Sequence, residues 1–318
     1  MSGTGQVFAA PRASVAVFER LDGPVPYVGI SNPGPARAHN EDRWQVDEAH
    51  SVFVLADGMG GYNAGEVASE IAVRTVAELV GALRDSGLGV QDALVRAVAA
   101  AHANILEFAH ARPECLGMGT TLVAAAFADG GLTLAHVGDS RAYRLRDGQL
   151  ERLTRDHSLG QQMLDSGGLT EAQLNRLPAR GILTRALGVE HETAQPDVVR
   201  FDWRDDDLLL LCSDGLTDSL DDAAIGRILA PPGPQSVPAG TPADATAAHA
   251  APAHAAPAHA APAHAAPANA TPTCAGSAQP CPLSDVAQRL IASAQAGGGA
   301  DDVTVLLAGG WHRGLANH

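Results

Sequence analysis

Two short stretches of the chain are apolar at every position, which is the pattern of a strand buried on both faces. They run from Val52 to Ala56 and from Leu208 to Cys212. A third region, 120–154, alternates strand-length apolar runs with the turn pairs Asp129-Gly130 and Asp147-Gly148. Because Asp-Gly between such runs favours a tight hairpin turn, this region predicts an antiparallel meander.

Four longer segments place their apolar residues at helical spacing. They are 64–83, 90–110, 218–229 and 285–296. Ser284 is a plausible N-cap for the last helix and Gly297 its stop signal. Runs of strands combined with helix pairs indicate an α+β or layered α/β domain, not a repeating βαβ unit.

One segment does not fit a folded core. Residues 231–282 hold 12 of the 20 prolines, and the repeat His-Ala-Ala-Pro-Ala begins at 249, 254, 259 and 264. Proline at every fifth position prevents a regular helix, and the segment has almost nothing larger than alanine to bury. We expect a disordered insertion that acts as a passive linker. Weak binding of a soft metal by the spaced histidines is the alternative.

Composition narrows the class of protein. The chain has 318 residues, 46% of them hydrophobic, and a net charge of −15. A chain this acidic is not expected to bind nucleic acid through its general field. No apolar run is long enough to cross a bilayer, and no signal peptide is evident, so a cytoplasmic location is expected. The four cysteines are not spaced as in a disulfide framework or a zinc site, so neither is expected.

Acidic residues recur just beyond the apolar strands or beside glycine-rich turns. They are Glu41, Asp42, Asp57, Asp139, Asp214, Asp301 and Asp302. Each of them taken alone is more simply a turn residue or a helix cap. Several carboxylates brought together would repel one another, and a hard divalent cation relieves that repulsion. Ligands that are all oxygen favour Mg²⁺ or Mn²⁺ over zinc, so the set as a whole predicts a metal site.

The order of these motifs resembles the PPM family of metal-dependent protein Ser/Thr phosphatases, the PP2C type. The matching stretches are RAHNED (37–42), VFVLADGMGG (52–61), GTTLVAAAF (119–127), VGDSRAYRLRDGQLERLTRDHS (137–158), LTRALG (183–188), LLLLCSDGLTD (208–218) and GGADDVTVLLA (298–308). The chain looks most like the compact bacterial members. The resemblance implies a central antiparallel β-sandwich flanked by helix pairs, with the metals at one end.

The resemblance also implies roles for individual residues. Asp57 is expected to bridge two Mn²⁺ or Mg²⁺ ions, with the Gly58 carbonyl as a further ligand. Asp214 and Asp301 complete the first ion's set, and Glu41 and Asp42 serve the second, partly through water. Asp139 with Asp214 is expected to hold a third, weaker ion. Arg37 is expected to grip the phosphoryl oxygens, since a guanidinium makes paired hydrogen bonds to them. The implied reaction is in-line attack of a metal-activated water on phosphorus.

Two positions depart from the family pattern or vary within it. Met59 stands where some members place a histidine that is a candidate general acid, and His39 is only a weak substitute for it. Residues 158–180 correspond to the variable flap beside the active site. The expected domain comprises residues 26–230 and 283–310, preceded by an N-terminal extension, 1–25, and interrupted by the insertion, 231–282.

The implied partners are phosphorylated proteins and a Ser/Thr kinase that the enzyme opposes, with the chain itself a monomer. Three rival hypotheses stay open at this point. They are a phosphoprotein-binding pseudophosphatase, a structural protein whose acids are all turns and caps, and a phosphatase restricted to one narrow partner.

Overall fold

The computed structural model describes residues 14–20, 23–35, 37, 39–60, 64–174, 181–190, 195–230 and 282–310. All the elements below belong to one compact unit of the chain. The predicted insertion, 231–282, lies outside the described residues except for Pro282. None of the helices described is both long and apolar enough to span a membrane.

The first of two antiparallel sheets has six strands. In chain order they are β1 (Ser14–Arg20), β2 (Gly23–Asn32), β8 (Arg141–Arg146), β9 (Gln149–Arg152), β11 (Leu208–Cys212) and β12 (Val303–Gly309). Their spatial order is β1-β2-β12-β11-β8-β9. Strand β1 lies within the predicted N-terminal extension, yet it pairs with β2 along its whole length and forms an edge of the sheet.

The second sheet lies between the first sheet and a pair of long helices. Its strands are β3 (Asp42–Asp47), β4 (Val52–Met59), β6 (Leu122–Ala128), β7 (Gly131–Val137) and β10 (Asp197–Asp202), in the spatial order β10-β7-β6-β4-β3. The two-residue strand β5 (Gly119–Thr120) pairs with the end of β4. Helices α1 (Gly65–Asp85) and α2 (Val90–His110) cover the outer face.

Shorter helices complete the unit. They are α3 (Leu159–Asp165), α4 (Glu171–Leu174), α5 (Asp214–Thr217), α6 (Asp222–Leu229) and α7 (Pro282–Ala296). Helices α6 and α7 pack on the outer face of the first sheet. The layers are therefore helix pair, sheet, sheet, helix pair, which confirms the predicted fold class.

Strand β4 shows why an all-apolar run suits this architecture. Phe53 and Leu55 point into the core between the two sheets, whereas Val52, Val54 and Ala56 pack against the helices α1 and α2. All five side chains are fully buried. Because successive side chains of a strand face opposite sides, a sheet covered on both faces needs apolar residues at every position.

The predicted meander is only partly correct. Asp129 and Asp147 both have positive φ angles, of 51° and 50°, and each is followed by a glycine in the same region, so both form the expected hairpin turns. However, β7 and β8 do not pair with each other, because the chain passes from one sheet to the other at Gly138–Ser140. The region is two hairpins, one in each sheet.

Two predicted helix boundaries also need correction. The predicted helix 218–229 begins later, at Asp222, because residues 218–220 form a turn after α5. Asp221 caps α6 by accepting a hydrogen bond from the Ala224 N–H. Ser284 is not an N-cap, because α7 already begins at Pro282. Proline is well suited to the first helical position, where its missing N–H costs nothing.

Candidate metal centre and active site

The acidic residues singled out by the sequence lie at one end of the sandwich. Asp42 begins β3 and pairs in register with Asp57 near the end of β4. Asp139 follows β7, and Asp214 follows β11. Asp301 precedes β12, whose first residues pair with the end of β2. The fold therefore mounts these carboxylates on rigid strand ends, which is a precise way to hold a site.

These residues surround one cleft of about 640 Å³. Seven of the eight predicted site residues line it, namely Arg37, Glu41, Asp57, Gly58, Asp139, Asp214 and Asp301. The eighth, Asp42, is not among the lining residues. The structure thus brings seven of the residues predicted from the sequence to one cleft.

Asp42 lies beneath the cleft and is completely buried. Its Oδ2 accepts a hydrogen bond of 2.7 Å from the Ser213 hydroxyl, and its Oδ1 has no hydrogen-bond partner. Burial raises the pKa of Asp42 to about 7; hydrogen bonds from Thr304 and Ser213 oppose the shift, and Asp214 adds to it. Such a position favours a supporting role for Asp42 behind the cleft.

Mutual repulsion dominates the electrostatics of the cleft. Burial raises the pKa of Asp57 well above its ordinary value, and the charges of Asp42, Asp214 and Asp139 raise it further. Burial, followed by the charge of Asp301, raises the pKa of Asp214 to about 6. The pKa of Asp139 is raised by burial and by Asp214. Without added positive charge, these carboxyls resist ionising together.

Arg37 lies on the rim of this acidic cluster. Its guanidinium donates a 2.8 Å hydrogen bond to Glu41 Oε2 and a second hydrogen bond to Asp301 Oδ1. Asp302, next in the chain, accepts hydrogen bonds from the backbone N–H groups of Gly34 and Glu41. Asp302 thereby ties the loop that carries Arg37 to the start of β12.

Gly58 is a position at which no side chain fits. A Cβ there would lie 2.2 Å from the Gly65 carbonyl oxygen and 2.7 Å from that of Glu41. Helix α1 therefore begins in direct contact with the Asp57-Gly58 backbone. The Gly58 N–H donates to the Glu41 carbonyl at 3.2 Å, which fixes the orientation of this peptide.

The donor set fits a hard divalent cation. Within the part of the chain that the structure describes, two buried carboxylate oxygens here, Asp42 Oδ1 and Asp214 Oδ1, have no hydrogen-bond partner. Several buried acids with raised pKa values surround them. Oxygen ligands of this kind suit Mg²⁺ or Mn²⁺, whose charge would favour the ionised forms of all these groups.

A second cluster of potential ligands lies outside the acidic end. His136, His157 and Asp197 place one ligand atom each within 4.8 Å of the others. The His136 Nε2 donates to the Arg155 carbonyl, whereas the His157 Nδ1 accepts the Gly138 N–H at 3.2 Å. The proton of neutral His157 is therefore on Nε2, which faces Asp197 Oδ2 at 3.3 Å. Because a protonated nitrogen has no lone pair to offer, this cluster is not suited to metal binding.

Two further sequence hypotheses concern proton donors. Met59 lines the cleft, as expected from its place in the motif. His39 is exposed and is not among the cleft's lining residues, so its position gives no support to a role as general acid. Two residues at the cleft had no predicted role: Thr121, whose hydroxyl accepts a hydrogen bond from the Asp57 N–H, and Arg185, which lines the cleft. Both lie inside motifs already noted, GTTLVAAAF and LTRALG.

Comparison with known proteins identifies the family. A model of the family described as protein phosphatase 2C matches residues 36–232. The chain belongs to this family, which confirms the resemblance seen in its motifs.

Individual relatives agree with this assignment. The chain is 40% identical over 199 residues to the serine/threonine protein phosphatase PstP of Mycobacterium tuberculosis, covering 63% of this chain and 38% of that protein. It is 38% identical over 202 residues to the serine/threonine phosphatase stp of Listeria innocua, covering 62% of this chain and 79% of that protein. The match thus spans well under half the length of the mycobacterial relative.

A solved structure matches the fold. The catalytic domain of PstP in complex with two manganese ions aligns with a TM-score of 0.66 and 32% identity. The alignment covers 90% of this chain and 97% of that one. The two proteins therefore share one architecture over almost the whole catalytic domain.

Proposed function

We propose that this chain is a metal-dependent protein phosphatase that hydrolyses phosphoserine and phosphothreonine in proteins. The observation that carries the proposal is the cleft in which Asp57, Asp214 and Asp301 converge beside Arg37. The relatives named serine/threonine phosphatase support the substrate class. The catalytic unit would comprise 26–230 and 283–310.

The acidic residues would hold two divalent cations, Mn²⁺ or Mg²⁺, and a third more weakly. Asp57 and the Gly58 carbonyl would be shared or neighbouring ligands, Asp214 and Asp301 would serve one ion, and Glu41 would serve the other, with Asp42 behind them. Asp139 would serve the third ion. When bound, these cations supply charge neutralisation for the phosphoryl group and lower the pKa of water to produce a nucleophile at neutral pH.

The chain's own groups would bind and orient the phosphoryl group. Arg37 can present guanidinium N–H groups to the phosphoryl oxygens while Glu41 and Asp301 hold it from behind. Ser213 and Thr304 fix the buried Asp42 carboxylate, and Thr121 fixes the Asp57 backbone. Such fixed dipoles and charges reduce reorganisation during the reaction.

The physiological setting follows from the same proposal. A phosphatase of this type would oppose one or more Ser/Thr kinases in the cytoplasm and would act as a monomer. The chain has all three of the acids Asp57, Asp214 and Asp301. A pseudophosphatase would be expected to lack part of this ligand set, so that alternative is disfavoured.

The direct test is phosphate release from a phosphothreonine peptide by the purified protein, with Mn²⁺, with Mg²⁺ and with EDTA. Release that requires metal and that EDTA abolishes is the expected result. A folded protein that releases no phosphate with either metal would favour the phosphoprotein-binding alternative.

A further inference from the structure

Arg185 is a cationic side chain of the cleft for which the proposed mechanism has no role. Among the described residues that line the cleft, Arg37 and Arg185 are the basic ones, and five others are acidic. Arg37 comes from the loop after β2, whereas Arg185 comes from the segment 181–189. The two guanidinium groups are therefore presented by separate parts of the chain.

The two arginines also differ in how their N–H groups are used. Arg37 donates to two carboxylates of the acidic cluster. In the part of the chain that the structure describes, Arg185 donates one hydrogen bond, from its NH1 to Asp197 Oδ1 at 2.7 Å. Its side chain is 40% exposed. Since a guanidinium carries five N–H donors, Arg185 keeps donors available for a ligand in the cleft.

Asp197 holds Arg185 from behind. Asp197 is the first residue of β10, which pairs with β7, so the anchor belongs to the sheet rather than to a loop. Its second oxygen faces His157 Nε2 at 3.3 Å, and the His157 ring is buried and stacked on His136. The His157 Nδ1 accepts the Gly138 N–H, next to Asp139. Arg185 is thus positioned by a chain of groups that begins at the acidic end of the sandwich.

A fixed cation on the wall of an acidic cleft has a specific consequence. Five carboxylate residues line the cleft, namely Glu41, Asp57, Asp139, Asp214 and Asp301, so a second negative group beside the scissile phosphate is repelled. A guanidinium with free donors offsets that repulsion and binds carboxylate or phosphate in a defined geometry.

We propose that Arg185 is a specificity-determining residue that binds a second anionic group of the substrate, carried by a residue close to the phosphorylated one. The group is a carboxylate or a second phosphate, and Asp197 and His157 act as positioning residues for the arginine. This inference rests on the proposed phosphatase function.

The test uses three phosphothreonine peptides that differ at one nearby position, which holds glutamine, glutamate or phosphoserine. The kcat/KM values give a selectivity ratio, anionic over neutral, for the wild type and for Arg185→Gln. We expect that ratio to fall about tenfold in the variant, because a hydrogen bond between charged groups contributes free energy of that order. Comparing the glutamate and phosphoserine peptides tells which anion is preferred.

Three further variants make the result specific. Arg185→Lys keeps the charge without the planar fork and should retain part of the ratio. Asp197→Asn loosens the anchor and should lower the ratio by a smaller factor than Arg185→Gln. Arg200→Gln removes an exposed arginine of β10 that binds the Asp129 carbonyl, and should leave the ratio unchanged.

Binding is measured separately with non-hydrolysable phosphonate versions of the peptides, by fluorescence anisotropy, so that the inference does not depend on turnover. A wild type that turns over no peptide contradicts the proposed function, and the anisotropy ratio still tests Arg185. A ratio unchanged in Arg185→Gln, or an equal loss on all three peptides by both measurements, would overturn the inference.

Discussion

Asp42 and Asp57 face each other as a register pair on the neighbouring strands β3 and β4. One carboxylate is completely buried beneath the cleft and the other lines it. Two acids brought together in this way raise each other's pKa unless a cation neutralises them. This relationship is the physical basis of the predicted metal centre.

Asp214→Asn should reduce turnover of a phosphothreonine peptide by at least about a hundredfold, because the predicted site loses a charged ligand. The fold should persist, since asparagine has nearly the same shape. The measurement is initial rate at saturating Mn²⁺, with circular dichroism to verify folding. Asp129→Asn is the matched control, because it makes the same change in an exposed hairpin turn where asparagine also tolerates positive φ. Normal turnover in Asp214→Asn would contradict the assignment of this ligand.

Arg37→Ala should mainly raise KM for the phosphopeptide, by about tenfold or more, since a charge-assisted hydrogen bond to phosphate is lost. Steady-state kinetics over a range of peptide concentrations provide the measurement. Arg204→Ala is the control, because Arg204 is an exposed arginine that pairs with Asp147 and does not line the cleft. An unchanged KM would remove Arg37 from the phosphate-binding role.

Gly58→Ala should destabilise the protein by about 1–3 kcal/mol, the usual cost of overpacking a tight contact. The added methyl group would lie 2.2 Å from the Gly65 carbonyl, so the start of α1 must move away from the site. Thermal unfolding should show a lower Tm. Gly89→Ala is the comparison, since Gly89 has an ordinary φ of −61° and open space around its Cβ position. Equal Tm values for the two variants would refute the packing argument.

The buried residue His157 should make the stability of the folded protein depend on pH. Burial, followed by the charges of His136 and Arg185, lowers the pKa of His157 to about 4. Between about pH 6.5 and pH 4 the unfolded chain then binds a proton that the folded protein does not, so this group makes the protein less stable as pH falls through that window. The slope from one proton is at most about 1.4 kcal/mol per pH unit.

A histidine titration by NMR checks this directly. The ring signal of His157 should titrate well below that of His50. The pKa of His50 is raised by hydrogen bonding to Asp85, and burial opposes the shift. His50 therefore contributes stability below its unfolded-state pKa that is lost as pH rises through its folded-state value. If His157 titrates at or above the ordinary histidine pKa, the buried neutral tautomer is wrong.

Much of the architecture could be predicted from the pattern of apolar residues. The all-apolar runs in β4 and β11 identified strands covered on both sides, and the long helices α1 and α2 were recognised from their spacing. Periodicity does not tell which sheet a strand joins, so it does not predict the crossing from one sheet to the other between β7 and β8. Helix α6 begins after the cap Asp221, and α7 begins at Pro282. Both starts depend on the chemistry of one local residue, which the spacing of apolar residues does not contain.

The candidate site was predictable where strand ends carry acids, and less so elsewhere. Asp57, Asp214 and Asp301 were found from their setting, and the structure brings them into one cleft. That Asp42 lies beneath the cleft depends on the register between β3 and β4, which the sequence does not state. The hydrogen bond from Arg185 to Asp197 is a side-chain contact between a loop and a strand, so no local sequence motif predicts it.

Metal occupancy and turnover can be measured together in one sample. Mn²⁺ is titrated calorimetrically into metal-free protein, and phosphate release from a phosphothreonine peptide is measured at each point. We predict that turnover rises with occupancy and that Asp214→Asn loses both. Turnover that persists in the metal-free protein, or Mn²⁺ binding that Asp214→Asn leaves unchanged, would contradict a metal centre built on these carboxylates.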